Sequence, residues 1–551
     1  MSAEKSNAPT NEASNIVLLN TFVILKSNCR VLFHSDVLVW EKENSKKDKT
    51  TIPICDIISI KLQLTNADKR NKLITLPTDQ PRCFTVYYAK QCDKENKWRQ
   101  YSTTFYHNDL RTIKIWFETI QDALNDQINR PKSLLLFVNP FGGKQNAQKT
   151  YEKYGKPMFQ LANIDVDVVV SQRPNQIRDI IYKQALSQYD GIVCVGGDGT
   201  FSEVFNGLLY RELKDHNLDP INPDYIPKPT IPIGIIPAGS TDTVAFCLHG
   251  TTDVQTAVLH IMLGQVKGLD LSSVSNETGL IKFYASCMSY GYLGDVAVDS
   301  EKFRWMGPKR YDYSGFKKFM LNRGYESEIT MLLSERNSNP LDGVMCVENC
   351  KRCDDSIVDN NRTKETINDD NNFGSNGSND VYPTNVTAET DEKWKIVKGK
   401  FFMVNGANIS CACSRSPNGF SKFCHLGDGC VDLVLIRHTT FLNNLKLLLT
   451  MSNKNGRLSD LPFVEIYRAK KFTLRSPIAQ NDSNIGSSTQ PIPLSNHSHS
   501  QWNCDGEVIH ESDLTIKTHC QLIKVFMRGT CQSISSDDVE HPSICCGLCR
   551  L

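Results

Sequence analysis

The sequence has almost no net charge: 62 Lys and Arg stand against 61 Asp and Glu, a formal +1. Nucleic-acid binders normally show a strongly basic balance, so that class is set aside. Attraction to an acidic membrane would have to come from a local patch. No stretch reaches eighteen unbroken apolar residues, which leaves no candidate membrane-spanning helix. The opening MSAEKSNAPTNEASN has no apolar h-region, so no secretory signal is expected. The nucleotide fingerprints G-x-x-x-x-G-K-[ST] and G-x-G-x-x-G are also missing, and the P-loop and dinucleotide folds fit poorly.

What is present is a 551-residue chain, 40% apolar, long enough for two or three domains. Its 20 cysteines, without a secretory signal, read as reduced thiols, metal ligands or core residues before a disulfide framework. The expected setting is cytoplasmic, peripheral to a membrane.

Residues 1–15 are polar and expected to be disordered. Over 16–128, short β-rich runs recur (IVLLNTFVILK, RVLFHSDVLVW, TTIPICDIISIKLQL, RCFTVYYAK), separated by polar turns. One amphipathic helix closes the segment, with Leu110, Ile113, Trp116, Phe117, Ile120 and Leu124 at helical spacing. Strands followed by one terminal helix with a Trp resemble a pleckstrin-homology (PH) domain. A generic β-barrel is the plainer reading.

From 129 to 280 strands and helices alternate. SLLLFVNP, IDVDVVVS, DGIVCVGG and IPIGIIPAG read as buried strands, with helices such as FSEVFNGLLYREL between them. That order predicts an α/β lobe with a mainly parallel sheet and its functional loops at the carboxyl ends of the strands. Beyond 281 the strands lengthen and the helical signal fades, so a β-rich lobe is expected to about 530. Residues 354–391 and 476–500 are polar insertions expected to be disordered, and 531–551 form a tail.

The strongest chemical signal is VCVGGDGTFSEVFNG, 193–207: a strand ends in Gly196 and Gly197, and Asp198, Gly199 and Thr200 open a helix. Glycines let backbone approach phosphates, and a helix N-terminus offers unpaired N–H groups to an anion. A carboxylate there suits a magnesium partner or a proton acceptor; a mere connecting turn is the bland alternative. Asn139-Pro140-Phe141-Gly142-Gly143-Lys144 and Pro237-Ala238-Gly239-Ser240-Thr241-Asp242 repeat the pattern after other strands. All three turns should meet at one sheet edge.

NPFGGK, GGDGTFSEVFNGL and IIPAGSTD together resemble the catalytic core of the diacylglycerol kinase and sphingosine kinase superfamily, and within it the ceramide kinases. The resemblance implies an ATP- and Mg2+-dependent lipid kinase acting on ceramide, with sphingosine or diacylglycerol as the alternative lipid and a silent lipid-binding protein as the alternative class. It implies an ATP site of Asn139, Pro140, Phe141, Ser171, Gln172, Arg173, Pro174, Asn175, Glu203, Ser240, Thr241 and Asp242. Gly196, Gly197, Asp198 and Gly199 would meet the substrate, with Asp198 as proton acceptor. Within 286–315, Asp295 would contact the lipid head group, and Arg304 and Arg310 the nucleotide. An Arg fork suits phosphoryl charge. In WNCDGE, the resemblance places Asp505, Gly506 and Glu507 near ATP and makes Asp505 a rival base.

The resemblance also implies a structural magnesium at Asp428, in LGDGCVD, where an ordinary turn is the alternative. Cys346-x3-Cys350-x2-Cys353 suggests structural zinc, with Cys411, Cys413, Cys424 or His425 as fourth ligand; reduced thiols are the alternative. FLNNLKLLLTM, 441–451, is either a core helix or a calmodulin site. Cys545, Cys546 and Cys549 are palmitoylation candidates. Stimulation by Ca2+, a phosphoinositide on the PH-like segment, and residence on Golgi or plasma membrane complete what the family implies.

Overall fold

A computed structural model describes residues 17–34, 36–43, 49–63, 82–92, 96–143, 145–307, 309–335, 337, 343–356, 393–413, 416–476, 499–511 and 513–529. The terminal segments, Lys144, most of both polar insertions and the cysteines at 545, 546 and 549 lie outside the described residues, as does the side chain of Arg304.

The N-terminal strands form a seven-stranded antiparallel sheet in the order 50–53, 37–42, 27–34, 17–24, 98–106, 83–91, 57–63. RVLFHSDVLVW is two strands, Ser27–His34 and Val37–Lys42, because Asp36 takes a left-handed φ of 65° at the reversal. The expected closing helix spans Leu110–Asn125, capped by the Asp109 carboxylate on the Arg111 and Thr112 amides. It buries Ile113, Trp116, Ile120 and Leu124. Trp116 packs edge-on against Phe22 at 5.1 Å and donates from Nε1 to Asn20 at 2.7 Å. A buried indole with its N–H satisfied fixes the helix without an orphaned donor.

This module is bolted to the rest of the chain. Arg99 pairs bidentately with Asp253 at 2.6 and 3.1 Å, and Arg528 pairs with Asp56 at 2.6 Å. The Arg528 guanidinium also lies 4.4 Å from the centre of the Trp98 ring.

In the α/β lobe, Asp165–Val170, Ser133–Val138, Gly191–Gly196 and Ile233–Pro237 are adjacent parallel strands in that order. The central two are unbroken apolar runs from Leu134 to Val138 and from Gly191 to Gly196, as burial on both faces demands. Leu514–Phe526 extends this sheet, meeting Ile233 in parallel through Val525 while pairing antiparallel with Val266–Asn276 and Val464–Arg475. One strand from the far end of the chain therefore joins the parallel and antiparallel regions into a single mixed sheet.

Helices Tyr292–Glu301, Lys309–Leu321 and Phe441–Ser452 interrupt the region expected to be β-rich, the last of them at the helix candidate 441–451. In Phe441–Ser452 the inward stripe is narrow, Asn444, Leu447, Leu448 and Met451, and most of the other leucines face outward. Ser314 and Phe319 are the buried residues of the second, Asn444 and Leu447 those of the third. The core-helix reading of 441–451 holds for one face only: Leu447 is buried in a core cluster, whereas Leu442 and Leu449 are 74% and 64% exposed. Among the described residues no helix is long and apolar enough to cross a membrane.

Candidate active site

Four parallel strands end on one edge, and each delivers a loop: 139–143, 171–175, Gly197 and 238–242. Three of these turns touch backbone to backbone. A Cβ on Gly143, whose φ is +55°, would lie 2.6 Å from the Gly239 Cα, and one on Gly239 would lie 2.6 Å from the Gly197 Cα. Only glycine permits that approach. Asn139 ties the first turn to the second, donating from Nδ2 to Thr200 Oγ1 at 3.0 Å and accepting the Phe141 amide at 3.0 Å. Asp242 closes the third by accepting the Gly239 amide at 2.7 Å. Around this half-buried floor, Phe141, Gly199, Ser240 and Thr241 are exposed and Pro140 is half-buried.

Asp198 opens the helix Asp198–Asp215. Its carboxylate accepts the Val244 amide at 2.9 Å and the Thr243 amide at 3.2 Å, at the start of the helix Thr243–His249. Backbone donors at helix N-termini favour the ionised form. Burial opposes them and wins, with the charges of Asp242 and Asp505 adding to it. The Asp198 carboxyl is raised from 3.8 to about 6.

Glu203 lies one turn further along. It accepts the Ile177 amide at 3.3 Å, at the start of the helix Gln176–Lys183, and so ties the end of the 171–175 turn to the helix Asp198–Asp215. Burial raises its proton affinity, and Glu507 adds to the effect. Ser171 is buried while Gln172, Arg173, Pro174 and Asn175 are exposed. Arg173 is engaged by Asp179 at 2.7 Å.

Asp505 has a different environment. It is 9% exposed, and its carboxylate accepts the Ala285 amide at 2.8 Å, the Ser286 amide at 3.0 Å, the Cys287 amide at 3.2 Å and the Ser286 hydroxyl at 2.5 Å. Three of these donors converge on Oδ1 and one on Oδ2, all from the 285–287 segment that joins two strands. Gly506 and Glu507 are exposed at the following turn, where Lys282 donates to Glu507 at 2.6 Å.

Asp295 sits in the first turn of Tyr292–Glu301 and accepts the Tyr325 hydroxyl and, at 2.7 Å, the Ser500 hydroxyl. Arg310 pairs with Glu301 at 3.3 Å and donates to the Tyr311 hydroxyl at 2.6 Å. Arg304 lies in the short 3-10 turn Arg304–Met306.

Asp428 is buried, and its Oδ2 has no hydrogen-bond partner. Beside it, Asp270 is fully buried and accepts the Gly429 and Gln521 amides, both at 2.6 Å. Burial, reinforced by Asp428, holds the Asp270 carboxyl well above the usual range. Asp270, Lys282, Tyr325 and Ser500 escaped the motif reading. An acid inside the apolar run GLDLSSV was the one available signal, for Asp270.

Family models match three segments: diacylglycerol kinase catalytic domain over residues 133–274, ceramide kinase C-terminal domain over 348–547, and ceramide kinase PH domain over 18–120. The chain is 36% identical to ceramide kinase of Homo sapiens, over 88% of this chain and 89% of that protein. It is 38% identical to ceramide kinase of Mus musculus, over 82% and 84%. A solved diacylglycerol kinase from Bacillus anthracis str. Sterne aligns at TM-score 0.41 and 14% identity, over 72% of this chain and 97% of that one.

Proposed function

This chain belongs to the ceramide kinase family, and from that premise we propose that it transfers the γ-phosphoryl group of ATP to the primary hydroxyl of ceramide, giving ceramide 1-phosphate. The observation that carries the chemistry is a buried carboxylate of raised proton affinity, Asp198, where three glycine turns meet.

The lipid hydroxyl oxygen bonds to the γ-phosphorus as the bond to the β–γ bridging oxygen breaks. ADP leaves, and the hydroxyl proton passes to the Asp198 carboxylate. Such transfers need positioning and charge neutralisation more than covalent help. The nucleotide enters as its magnesium complex, which spreads the phosphate charge. The 139–143 and 238–242 turns approach the phosphates through backbone, and Glu203 keeps the 171–175 turn in place. Asp198 is the base in this reading, because its proton affinity is raised where the three turns meet, whereas four donors from 285–287 hold Asp505 in a structural role. Asp295, held by the Tyr325 and Ser500 hydroxyls, is assigned to the lipid head group in this reading. A structural magnesium at Asp428 draws support from its unpartnered Oδ2 and the adjacent Asp270.

Membrane attachment is peripheral in this reading, shared between the PH domain and the catalytic part. Trp305, Phe316, Met320 and Leu321 are exposed, and so are Leu442, Leu445 and Leu449 on a neighbouring helix. Phe319 and Phe441 bring these segments together with ring centres 4.9 Å apart. An apolar face flanked by Lys309, Lys318 and Arg323 suits the interface of an intracellular membrane, Golgi or plasma membrane. With Lys446 its sole basic residue, the Phe441–Ser452 helix is assigned to lipid before calmodulin.

The test is a labelled-ATP assay on purified protein with magnesium, offering ceramide, sphingosine and diacylglycerol separately in mixed micelles. Ceramide should be labelled preferentially. Labelling of another lipid would keep the mechanism and replace the substrate; no labelling of any would sink the reading.

A pH profile gives a second check. A proton acceptor must be ionised, so kcat/KM should rise about tenfold per pH unit on the acid side and level off above about 6, the Asp198 value. A profile flat from pH 5 to 8 contradicts Asp198 as base.

A further inference from the structure

Outside the active-site edge, three cysteines and one histidine meet. Cys346, Cys350, Cys353 and His425 each offer a donor atom, and the four atoms lie within 4.8 Å of one another. Among the described residues this is the only cluster of three or more metal-ligating side chains so close together. Cys346 Sγ and Cys353 Sγ are 3.8 Å apart, and Cys350 Sγ is 3.2 Å from His425 Nδ1. A disulfide needs about 2.05 Å, so the first pair is not one. Tetrahedral bonds of about 2.3 Å to sulfur and about 2.0 Å to nitrogen put ligand atoms between roughly 3.5 and 3.8 Å apart, close to the separations found.

The sequence left four candidates for the fourth ligand. The Cys411 thiol donates to the Ser286 and Ile409 carbonyls and that of Cys424 to the Ala407 carbonyl, and neither they nor Cys413 belong to the group of converging donor atoms. His425 is 1% exposed and faces the cysteines. Three thiolates and an imidazole are soft and borderline donors, which select zinc over magnesium or calcium, and four protein ligands close the site to substrate.

The surrounding contacts indicate what such an ion would hold. Gln521, on the strand joining the two parts of the sheet, donates from Nε2 to the Cys353 carbonyl at 2.7 Å and the Gly427 carbonyl at 2.9 Å, bracing both ligand-bearing loops. Glu348, between the first two cysteines, lies 3.9 Å from Arg528, whose other end pairs with Asp56 of the PH domain. A Cys3His zinc centre carries a net charge of −1, and Arg352 is the cation beside it, 3.2 Å from His425 Nε2. Metal on Nδ1 puts the ring proton on Nε2, so Arg352 must turn from that nitrogen when the ion is bound.

We infer that Cys346, Cys350, Cys353 and His425 form a structural zinc site that clamps the 343–356 segment to the sheet and, through Glu348 and Arg528, steadies the PH domain against the catalytic part. The inference is independent of the phosphoryl-transfer reading, because it is read by metal content and not by activity.

Full-length protein should carry stoichiometric zinc by elemental analysis after exhaustive buffer exchange. His425→Ala should retain about tenfold less, while His425→Cys, which restores a fourth soft ligand, should recover it. Cobalt-substituted wild type should show the visible bands of a tetrahedral thiolate site, a readout that needs no variant to fold. Stripping zinc with a chelator should speed amide exchange in 343–356 and at the Arg528–Asp56 contact, and zinc should reverse this. Zinc-free active wild type, or equal zinc in His425→Ala, overturns the site. Unchanged exchange after the metal has left overturns the clamp.

Discussion

Asp198→Asn lowers kcat about 10²–10⁴-fold and leaves ATP affinity and folding largely intact. The amide cannot take the hydroxyl proton, yet its oxygen can still accept the Val244 amide, now at 2.9 Å. The turns proposed to hold the phosphates meet one another through backbone atoms at Gly143, Gly197 and Gly239, an approach that does not depend on this side chain. Folding stability at neutral pH should change by no more than about 1 kcal/mol, since a lost contact to Thr243 is offset by removing a buried charge. Nucleotide titration, single-turnover kinetics and thermal unfolding on the same preparation check all three points. Near-normal turnover would show that the reaction needs no base at this position.

Asp505→Ala should fail in the opposite way, through the fold. The substitution strips the acceptor from three backbone amides, those of Ala285, Ser286 and Cys287, and from the Ser286 hydroxyl. Buried donors left unsatisfied cost about 1–3 kcal/mol each, and position 505 has a φ of +48°, where alanine costs about 1–2 kcal/mol. A loss of more than about 3 kcal/mol is expected, a large part of a typical domain's stability. Urea unfolding should show an early transition, and residual activity should follow the folded fraction. If Asp505→Ala unfolds like wild type but loses turnover, the base role passes to Asp505 and the assignment of Asp198 fails. The two variants thus separate two carboxylates that the motifs alone leave as rivals.

The active-site edge was legible because its elements are local. A buried apolar strand, a glycine turn and a helix start occupy a dozen consecutive residues, and periodicity reports them directly. Three such units after parallel strands must meet at one edge, as Gly143, Gly197 and Gly239 do. The PH domain was readable for a similar reason, from alternating strands and one helix whose Trp116 stripe faces inward. The helices around 292–321 and 441–452 were harder. In Lys309–Leu321 the large apolar Phe316, Met320 and Leu321 point to solvent, so no clean inward stripe was there to be read, whereas 441–451 was legible as a helix but not as one with three leucines exposed.

By itself, the sequence determined the order of modules, the parallel core, the converging turns and the set of candidate carboxylates and cysteines, since each is written in short-range spacing. Only the tertiary structure decided which candidates have free chemistry. It gave Asp505 its four donors from residues some 220 positions away in the chain, and left Asp198 raised to about 6. It selected His425 to face cysteines 72 or more residues upstream, and made the strand Leu514–Phe526 the seam of the mixed sheet. Hydrogen-bond saturation, desolvation and ligand convergence depend on groups brought together by folding, and no local pattern of residues encodes them.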